Sequence, residues 1–258
     1  MNCFWKICPY TFIFLLVGCA HVSQKAEAHY DSELTVKRDY YELSYNEDHE
    51  VANWVFYTLE TNQLRNCVKR NNSFKPDPLV VTGSADLDDY KGSGFDRGHL
   101  LPAGDMKFES KAMSDTFYLS NISPQPANFN RGLWASLENL VRAWALKYKK
   151  IWIVTGPVLH SGLPVIGKKN LVSVPDEFYK VILRKEGRGF KGVGFLMKTS
   201  VPYNYLAAYA IDIDTVEKIS GIDFFPFLTQ AQEKEAESKA ELTSWDFKAE
   251  FDYLPCSF

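Results

Sequence analysis

The sequence has no surplus of positive charge. Its 29 Lys and Arg residues face 32 Asp and Glu, a net charge of −3, whereas proteins that coat nucleic acid carry a basic excess. That balance excludes a static coat, but not an enzyme that must release a polyanionic product. Internal repeats and low-complexity tracts are missing, and charged residues stand at an ordinary 24%, so collagen-like architecture and global disorder are excluded as well. Histidine and cysteine are scarce at five each. No C-x-x-C pair, H-E-x-x-H helix or G-x-S-x-G elbow occurs, which leaves His/Cys zinc sites and hydrolase triads without support. Gly167, Lys168 and Lys169 lack the hydroxyl of a Walker A loop. Gly187 to Gly192 (GRGFKG) has the letters of a dinucleotide fingerprint but is followed by a strand-like segment, so a hairpin turn is expected there. What the chain does have is apolar mass: 46% hydrophobic and 15% aromatic over 258 residues, enough for one domain with a sizeable core.

The first nineteen residues differ from the rest. Met1 and Lys6 make a short positive end, and Tyr10 to Val17 (YTFIFLLV) an apolar run too short to span a bilayer. Residues 1–18 read as a secretion signal. The order Leu16, Val17, Gly18, Cys19 resembles the lipobox of bacterial lipoproteins, which implies a lipid on Cys19 and a membrane as partner through that anchor. A plain signal peptide is the alternative. Residues 19–37 are polar without apolar periodicity, as a tether would be, and the domain is expected over residues 38–258. Cys3 and Cys8 leave with the signal, and Cys67 and Cys256 remain as an even pair in an oxidising compartment. A disulfide between them is expected; two free buried thiols are the alternative.

Within the domain, Trp54, Val55 and Leu59 fit a short helix, and Tyr40 to Tyr45 could equally be a strand. Asn71 to Gly94 is rich in Asn, Ser, Pro, Asp and Gly and reads as irregular structure of a length often tied to function. From Gly132 on, Leu133, Leu137, Leu140, Val141 and Trp144 recur at helical spacing. Ile151 to Thr155, Tyr179 to Leu183, Gly194 to Met197 and Tyr205 to Ala210 read as strands by their β-branched and aromatic content. Gln230 to Glu241 is expected as a polar surface helix with Glu235 and Lys239 one turn apart. The mixture lacks regular βαβ alternation, so the expected class is α+β, with a mixed, mostly antiparallel sheet flanked by helices.

Two segments carry chemistry. In Phe95 to Asp105 (FDRGHLLPAGD), Arg97 and His99 point the same way if the chain is extended. A neutral imidazole can take a proton from water while a guanidinium forks onto phosphate oxygens. A solvated charge cluster is the alternative. In Tyr118 to Glu138 (YLSNISPQPANFNRGLWASLE), Asn128 or Asn130 suits a helix cap. On one continuous helix, Asn130 and Glu138 lie about 80° apart around the axis and about 12 Å along it. Asn130 can then be a direct ligand of Mg²⁺, with Glu138 orienting metal-bound water. A Glu138–Arg142 surface pair is the alternative for that glutamate.

Together these blocks resemble the DNA/RNA non-specific endonuclease family, the group with a ββα-metal active site that includes endonuclease G-like enzymes. The likeness rests on DRGH at Asp96 to His99, SNISPQ at Ser120 to Gln125, FNRGLW at Phe129 to Trp134, and LE at Leu137 and Glu138. It continues through VTGP at Val154 to Pro157 and VPDEFY at Val174 to Tyr179. The resemblance implies a ββα-metal motif with His99 as general base, Asn130 as metal ligand, Arg97 as phosphate contact and Glu138 as a metal partner through water. It also implies Arg70 as an upstream phosphate arginine, one hydrated Mg²⁺ (or Mn²⁺), and DNA and RNA as substrates. The expected activity is metal-dependent hydrolysis of phosphodiester bonds with little sequence preference, by an exported or envelope-anchored protein. A nucleic-acid-binding surface lipoprotein and a phosphodiesterase acting on other diesters are the alternatives.

Overall fold

The computed structural model describes residues 34–200 and 205–256. The expected signal over residues 1–18 and the expected lipidation at Cys19 lie outside the described residues. Only the end of the expected tether falls inside them, and it is structured: Thr35–Lys37 is a strand, β1, paired with the next one. The sheet therefore begins three residues before the expected domain start at Arg38.

The elements run β2 (Tyr41–Asn46), β3 (Val51–Glu60), α1 (Leu87–Tyr90), β4 (Asp96–His99), α2 (Ser110–Asp115), β5 (Ile122–Gln125), α3 (Ala127–Asn130) and α4 (Leu133–Tyr148). Then follow β6 (Lys150–Pro157), β7 (Val165–Ile166), β8 (Val172–Ser173), β9 (Glu177–Glu186), β10 (Gly189–Lys198), β11 (Ala210–Ile211), α5 (Ile213–Ser220) and α6 (Gln230–Glu237). Seven strands form one sheet in the order β1-β2-β3-β6-β9-β10-β11, and every pairing in it is antiparallel. Two small antiparallel pairs, β4-β5 and β7-β8, stand apart from it. The class is α+β, as expected.

Trp54, Val55 and Leu59 lie in β3 and not in a helix. Val55, Tyr57 and Leu59 point to one face and Trp54 and Phe56 to the other, and both faces are covered by apolar layers. A strand buried on both sides loses the apolar–polar alternation that marks a half-exposed one. The equally weighted strand near Tyr40 to Tyr45 is β2. The helix α4 forms as its stripe predicts, burying Leu137, Leu140, Val141 and Trp144 against Tyr57, Ile153, Ile182 and Phe195. On the opposite face Ile213 and Val216 of α5 and Ala236 of α6 pack on Val154, Val181 and Leu183. Burial of each such side chain contributes about 1.5–3 kcal/mol.

The strands expected at residues 151–155, 179–183 and 194–197 are the middles of β6, β9 and β10. Gly187, in the left-handed region at φ 59°, turns β9 into β10 as a hairpin. Two further expectations are corrected. Residues 205–210 form a 3-10 turn over Leu206–Tyr209 and only the start of a two-residue edge strand, because apolar content without alternation does not fix a ladder. The polar helix ends at Glu237, so Lys239 lies beyond it and shares no helical face with Glu235. Its last turn is not at the surface: Ala236 and Glu237 are buried against the sheet.

After α6 the chain straps α4. Trp144 Nε1 donates to the Asp246 carbonyl at 2.8 Å, Lys147 pairs with Asp246 at 2.6 Å, and Trp144 packs on Trp245 with ring centres 4.6 Å apart. The strap then reaches the other side of the domain. Leu254 exchanges backbone hydrogen bonds with Leu64 and Asn66, and Cys256 is joined to Cys67 by a disulfide with a Cα–Cα distance of 4.9 Å. Converting Cys67 and Cys256 to Ser together should lower stability by about 2–4 kcal/mol. Thermal unfolding with and without reductant checks this: the parent should fall to the level of the double variant in reductant, and the variant should not respond.

Candidate active site

The strands β4 and β5 pair antiparallel, with Gly98 opposite Ser123 and His99 opposite Ile122. Arg97 and His99, two residues apart on an extended chain, share a face. The pairing leaves no room between the strands for a side chain at residue 98: a Cβ there would meet Gln125 Oε1 at 2.2 Å. This explains the glycine of the DRGH block. Beyond the strand, fully buried Asn121 clamps the chain that follows His99. Its Oδ1 accepts from Leu101 N at 2.9 Å, and its Nδ2 donates to the Leu101 and Thr116 carbonyls at 3.0 and 2.9 Å.

The ring of His99 is 7% exposed and lies against Phe117 and Phe74, with centres 5.0 and 5.5 Å away. Burial pushes its pKa down to about 3, and the nearby positive charges of Arg70 and Arg97 push the same way. Its Nε2 has no hydrogen-bond partner among the described residues. A buried ring nitrogen of that kind is open to a partner that enters the cleft, and in the tautomer protonated at Nδ1 it accepts a proton. Both arginines lie over the same aromatic pair, Arg97 4.3 Å above Phe74 and Arg70 5.2 Å above Phe117. Arg70 is further steadied by Asn72, which accepts from its Nε at 2.7 Å. The segment 71–94, expected to be irregular throughout, contains the one-turn helix α1, and its irregular first part brings Phe74 to the imidazole. It is itself held by buried Asp77, which binds Arg38 and Ser120 and accepts from Leu79 N at 2.9 Å.

Asn130 and Glu138 are not on one helix. Asn130 ends the short α3, the chain breaks direction at Arg131 and Gly132, and Glu138 sits one turn into α4. Neither Asn128 nor Asn130 caps α4, whose N-cap is Gly132. The rotation expected between the two residues therefore does not apply, yet both line the same cleft. Asp96 fixes the asparagine: it accepts from Asn130 Nδ2 at 2.9 Å and from Arg131 Nε at 2.7 Å. With its nitrogen committed, the amide has its oxygen Oδ1 to offer a hard cation.

Glu138 is half-buried and makes no pair with Arg142. That arginine binds buried Asp105 at 2.6 Å and Asn139 at 2.7 Å, and Asp105 also accepts from Tyr57 at 2.9 Å. Burial raises the Glu138 carboxyl, opposed by Arg142 and by Lys180 of β9. Lys180 is fully buried, its Nζ has no hydrogen-bond partner among the described residues, and it lies 5.0 Å over the Trp134 ring. Desolvation lowers its pKa, with Glu138 acting against the shift.

Arg70, Arg97, His99, Asn130, Glu138 and Arg142 line one polar cleft of about 280 Å³, together with Pro102, Ala103, Gly104 and Ala135. Every candidate for chemistry named from the sequence lies there. Asp96, Gly98, Asn121, Asp105, Arg142 and Lys180 were not singled out for the roles they hold. Asp96, Gly98 and Asn121 stood inside the motif blocks, and their letters signalled importance without function. Asp105 closed the Phe95 to Asp105 block without a role of its own, and Lys180 gave no signal, because only the fold brings them beside α4. A larger groove of about 460 Å³ is walled mainly by aromatic and aliphatic side chains, Trp54, Phe56, Phe224 and Phe227 among them. It offers no comparable convergence of a base, arginines and a hard-cation ligand.

The donor set suits a hydrated divalent cation. One oriented amide oxygen and one carboxylate without an ion pair are what Mg²⁺ or Mn²⁺ uses when it keeps several waters.

The chain is similar to proteins of known class. It is 38% identical over 209 residues to Nuclease C1 of Cunninghamella echinulata var. echinulata, covering 74% of this chain and 82% of that protein. It is 31% identical over 248 residues to a nuclease of Nostoc sp., covering 92% and 89%. Human mitochondrial nuclease EXOG is 36% identical over 212 residues, 74% of this chain, and the match spans 56% of the length of that relative. Among solved structures, a chain of the EndoG/EndoGI complex matches with a TM-score of 0.71 and 31% identity, covering 77% of this chain and 88% of the other. The model of the DNA/RNA non-specific endonuclease family matches residues 22–231. On that match and these identities, this chain belongs to the DNA/RNA non-specific endonuclease family.

Proposed function

We propose that the protein is an endonuclease that hydrolyses phosphodiester bonds of DNA and RNA with little sequence preference. The convergence of His99, Arg97, Arg70, Asn130 and Glu138 on one polar cleft carries this reading. His99 Nε2 takes a proton from a water in line with the scissile P–O bond. Its depressed basicity keeps it neutral, and its unmet acceptor faces no competing donor. Arg97 and Arg70 hold the phosphate by its non-bridging oxygens, their planes steadied on Phe74 and Phe117. Asp96 keeps Asn130 Oδ1 turned to the cleft, and Glu138 orients water there. When bound to Asn130 and, through water, to Glu138, one Mg²⁺ (or Mn²⁺) supplies positive charge for the phosphate and the leaving 3′-oxygen. Because the nucleophile is water and not a 2′-hydroxyl, deoxyribose and ribose chains both serve, and products carry 5′-phosphates. Because the contacts are to the backbone, cleavage is tolerant of sequence and weakened by salt.

Incubation of plasmid DNA and of RNA with the protein tests the reading. Both should be degraded in Mg²⁺ and spared in chelator, and His99→Ala should lose roughly 10²–10⁴-fold in rate. DNA that is retarded but intact would favour a binding protein. Intact polymers with turnover of a small diester would favour a different phosphodiesterase.

The pH dependence follows from the charges around the ring. A depressed imidazole stays a base well below the 6.5 of a free one, so the His99 limb of kcat/KM lies on the acid side of that value. Arg97 opposes protonation, so Arg97→Gln raises the imidazole and moves that limb to higher pH, while Arg97→Lys leaves it in place. Identical pH profiles for Arg97→Gln and the parent would detach Arg97 from the base.

The protein is proposed to be exported, with Cys19 as a lipid-anchored N-terminus at the cell envelope. The Cys67–Cys256 disulfide supports an oxidising destination. Among the described residues no helix is long and apolar enough to cross a membrane. Growth in labelled palmitate should mark the parent and not Cys19→Ser; equal labelling, or none in the parent, rejects the anchor.

A further inference from the structure

On the face of the sheet away from α4, helices α5 and α6 bring three carboxylates together. One oxygen each from Asp214, Glu217 and Glu237 lie within 4.8 Å of one another. Asp214 is exposed, Glu217 half-buried, and Glu237 fully buried at 0% exposure. Among the described residues neither carboxylate oxygen of Glu237 has a hydrogen-bond partner. The charges that act most on it are those of further acids, Glu217, Glu233, Asp214 and Asp223, so burial and repulsion both oppose a bare anion there. One oxygen of Glu217 already accepts from Phe224 N at 2.7 Å, which orients the group within the cluster.

A buried carboxylate without a donor, facing two others, is resolved by a proton or by a cation. The spacing favours the cation, since oxygens up to 4.8 Å apart can be bridged by an ion with bonds of about 2.3–2.6 Å. Three protein carboxylates also suit Ca²⁺, which gathers many oxygen ligands in flexible geometry, better than Mg²⁺, which keeps its waters and takes one or two. Exposed Asp214 leaves a path for the ion and room for water to complete the shell. We infer that Asp214, Glu217 and Glu237 form a second cation site, selective for Ca²⁺, that ties α5 to α6 across β10. The site is structural. It stands on the opposite side of the sheet from the cleft that holds His99 and Asn130, and it is independent of the chemistry proposed there.

Calorimetric titration and thermal unfolding of the chelator-stripped protein test this, with Ca²⁺ as the probe and Asn130→Ala as the background that removes the cleft's ligand. Asn130→Ala should take up one Ca²⁺ and gain roughly 5–10 °C in Tm at Ca²⁺ about a hundredfold above Kd, with a smaller gain in Mg²⁺. Adding Glu237→Gln, which keeps the side chain's shape, should weaken Ca²⁺ at least tenfold, and Asp214→Asn at the exposed rim should do the same without touching the core. Absence of Ca²⁺ uptake by Asn130→Ala overturns the site, as does uptake unchanged by both added substitutions. A Tm raised by Glu237→Gln in chelator, with no response of the parent to Ca²⁺, also overturns it by assigning a proton to Glu237.

Discussion

An imidazole packed against a pair of touching phenyl rings, with one nitrogen unpaired among the described residues, is the constraint around which much of this domain is arranged. Burying His99 against Phe74 and Phe117 removes water from the ring and drives its proton off. That burial demands a close fit of chain around it. Gly98 lets the strand approach Gln125, Asn121 pins the following turn, and Asp77 folds the long irregular segment so that Phe74 arrives in place. The two arginines that use the same phenyl rings as platforms add to the field that keeps the ring neutral. One packing arrangement thus sets the base, its protonation state and the position of the phosphate contacts.

A second layer holds the groups opposite the base. Asp96 sits in the same four-residue strand as His99, yet its partner is Asn130, so the strand that carries the imidazole also orients the amide. Arg142 lines the cleft and is hydrogen-bonded to Asp105 and not to Glu138, which leaves that glutamate's oxygens to the cleft. The buried, unpaired Lys180 offsets some of the cost of keeping Glu138 ionised, and its own position follows from the register of β9 against β6 and β10. The disulfide closes the scheme from outside: it ties the C-terminal strap three residues before Arg70, so the tail that covers α4 also anchors the loop that presents an arginine.

The helix α4, the hairpin at Gly187 and the middles of β6, β9 and β10 were legible because local pattern and tertiary environment agree there. Where they disagree the sequence misleads. β3 looks helical because it is buried on both faces, and α6 looks like a surface helix because the one carboxylate it buries is written with the same letter as those it exposes. The ordering of Asn130 and Glu138 fails for a different reason: Gly132 interrupts the helix, and a motif records which residues occur without recording the turn between them. The break does not separate the two groups in space, since a change of direction there still returns both to the cleft.

By itself the sequence determined the inventory: an acid–base group, arginines for phosphate, an amide and a carboxylate for a hard cation, a pair of cysteines, and a composition that rules out a static coat. These follow from side-chain chemistry, which is local to each residue. Only the tertiary structure decided their states. The basicity of His99, the free oxygen of Asn130, the unpaired charge of Glu138 and the buried carboxylate of Glu237 depend on what surrounds each group. That surrounding is assembled from segments distant in the chain, because desolvation and Coulomb interactions act through space and not along the backbone.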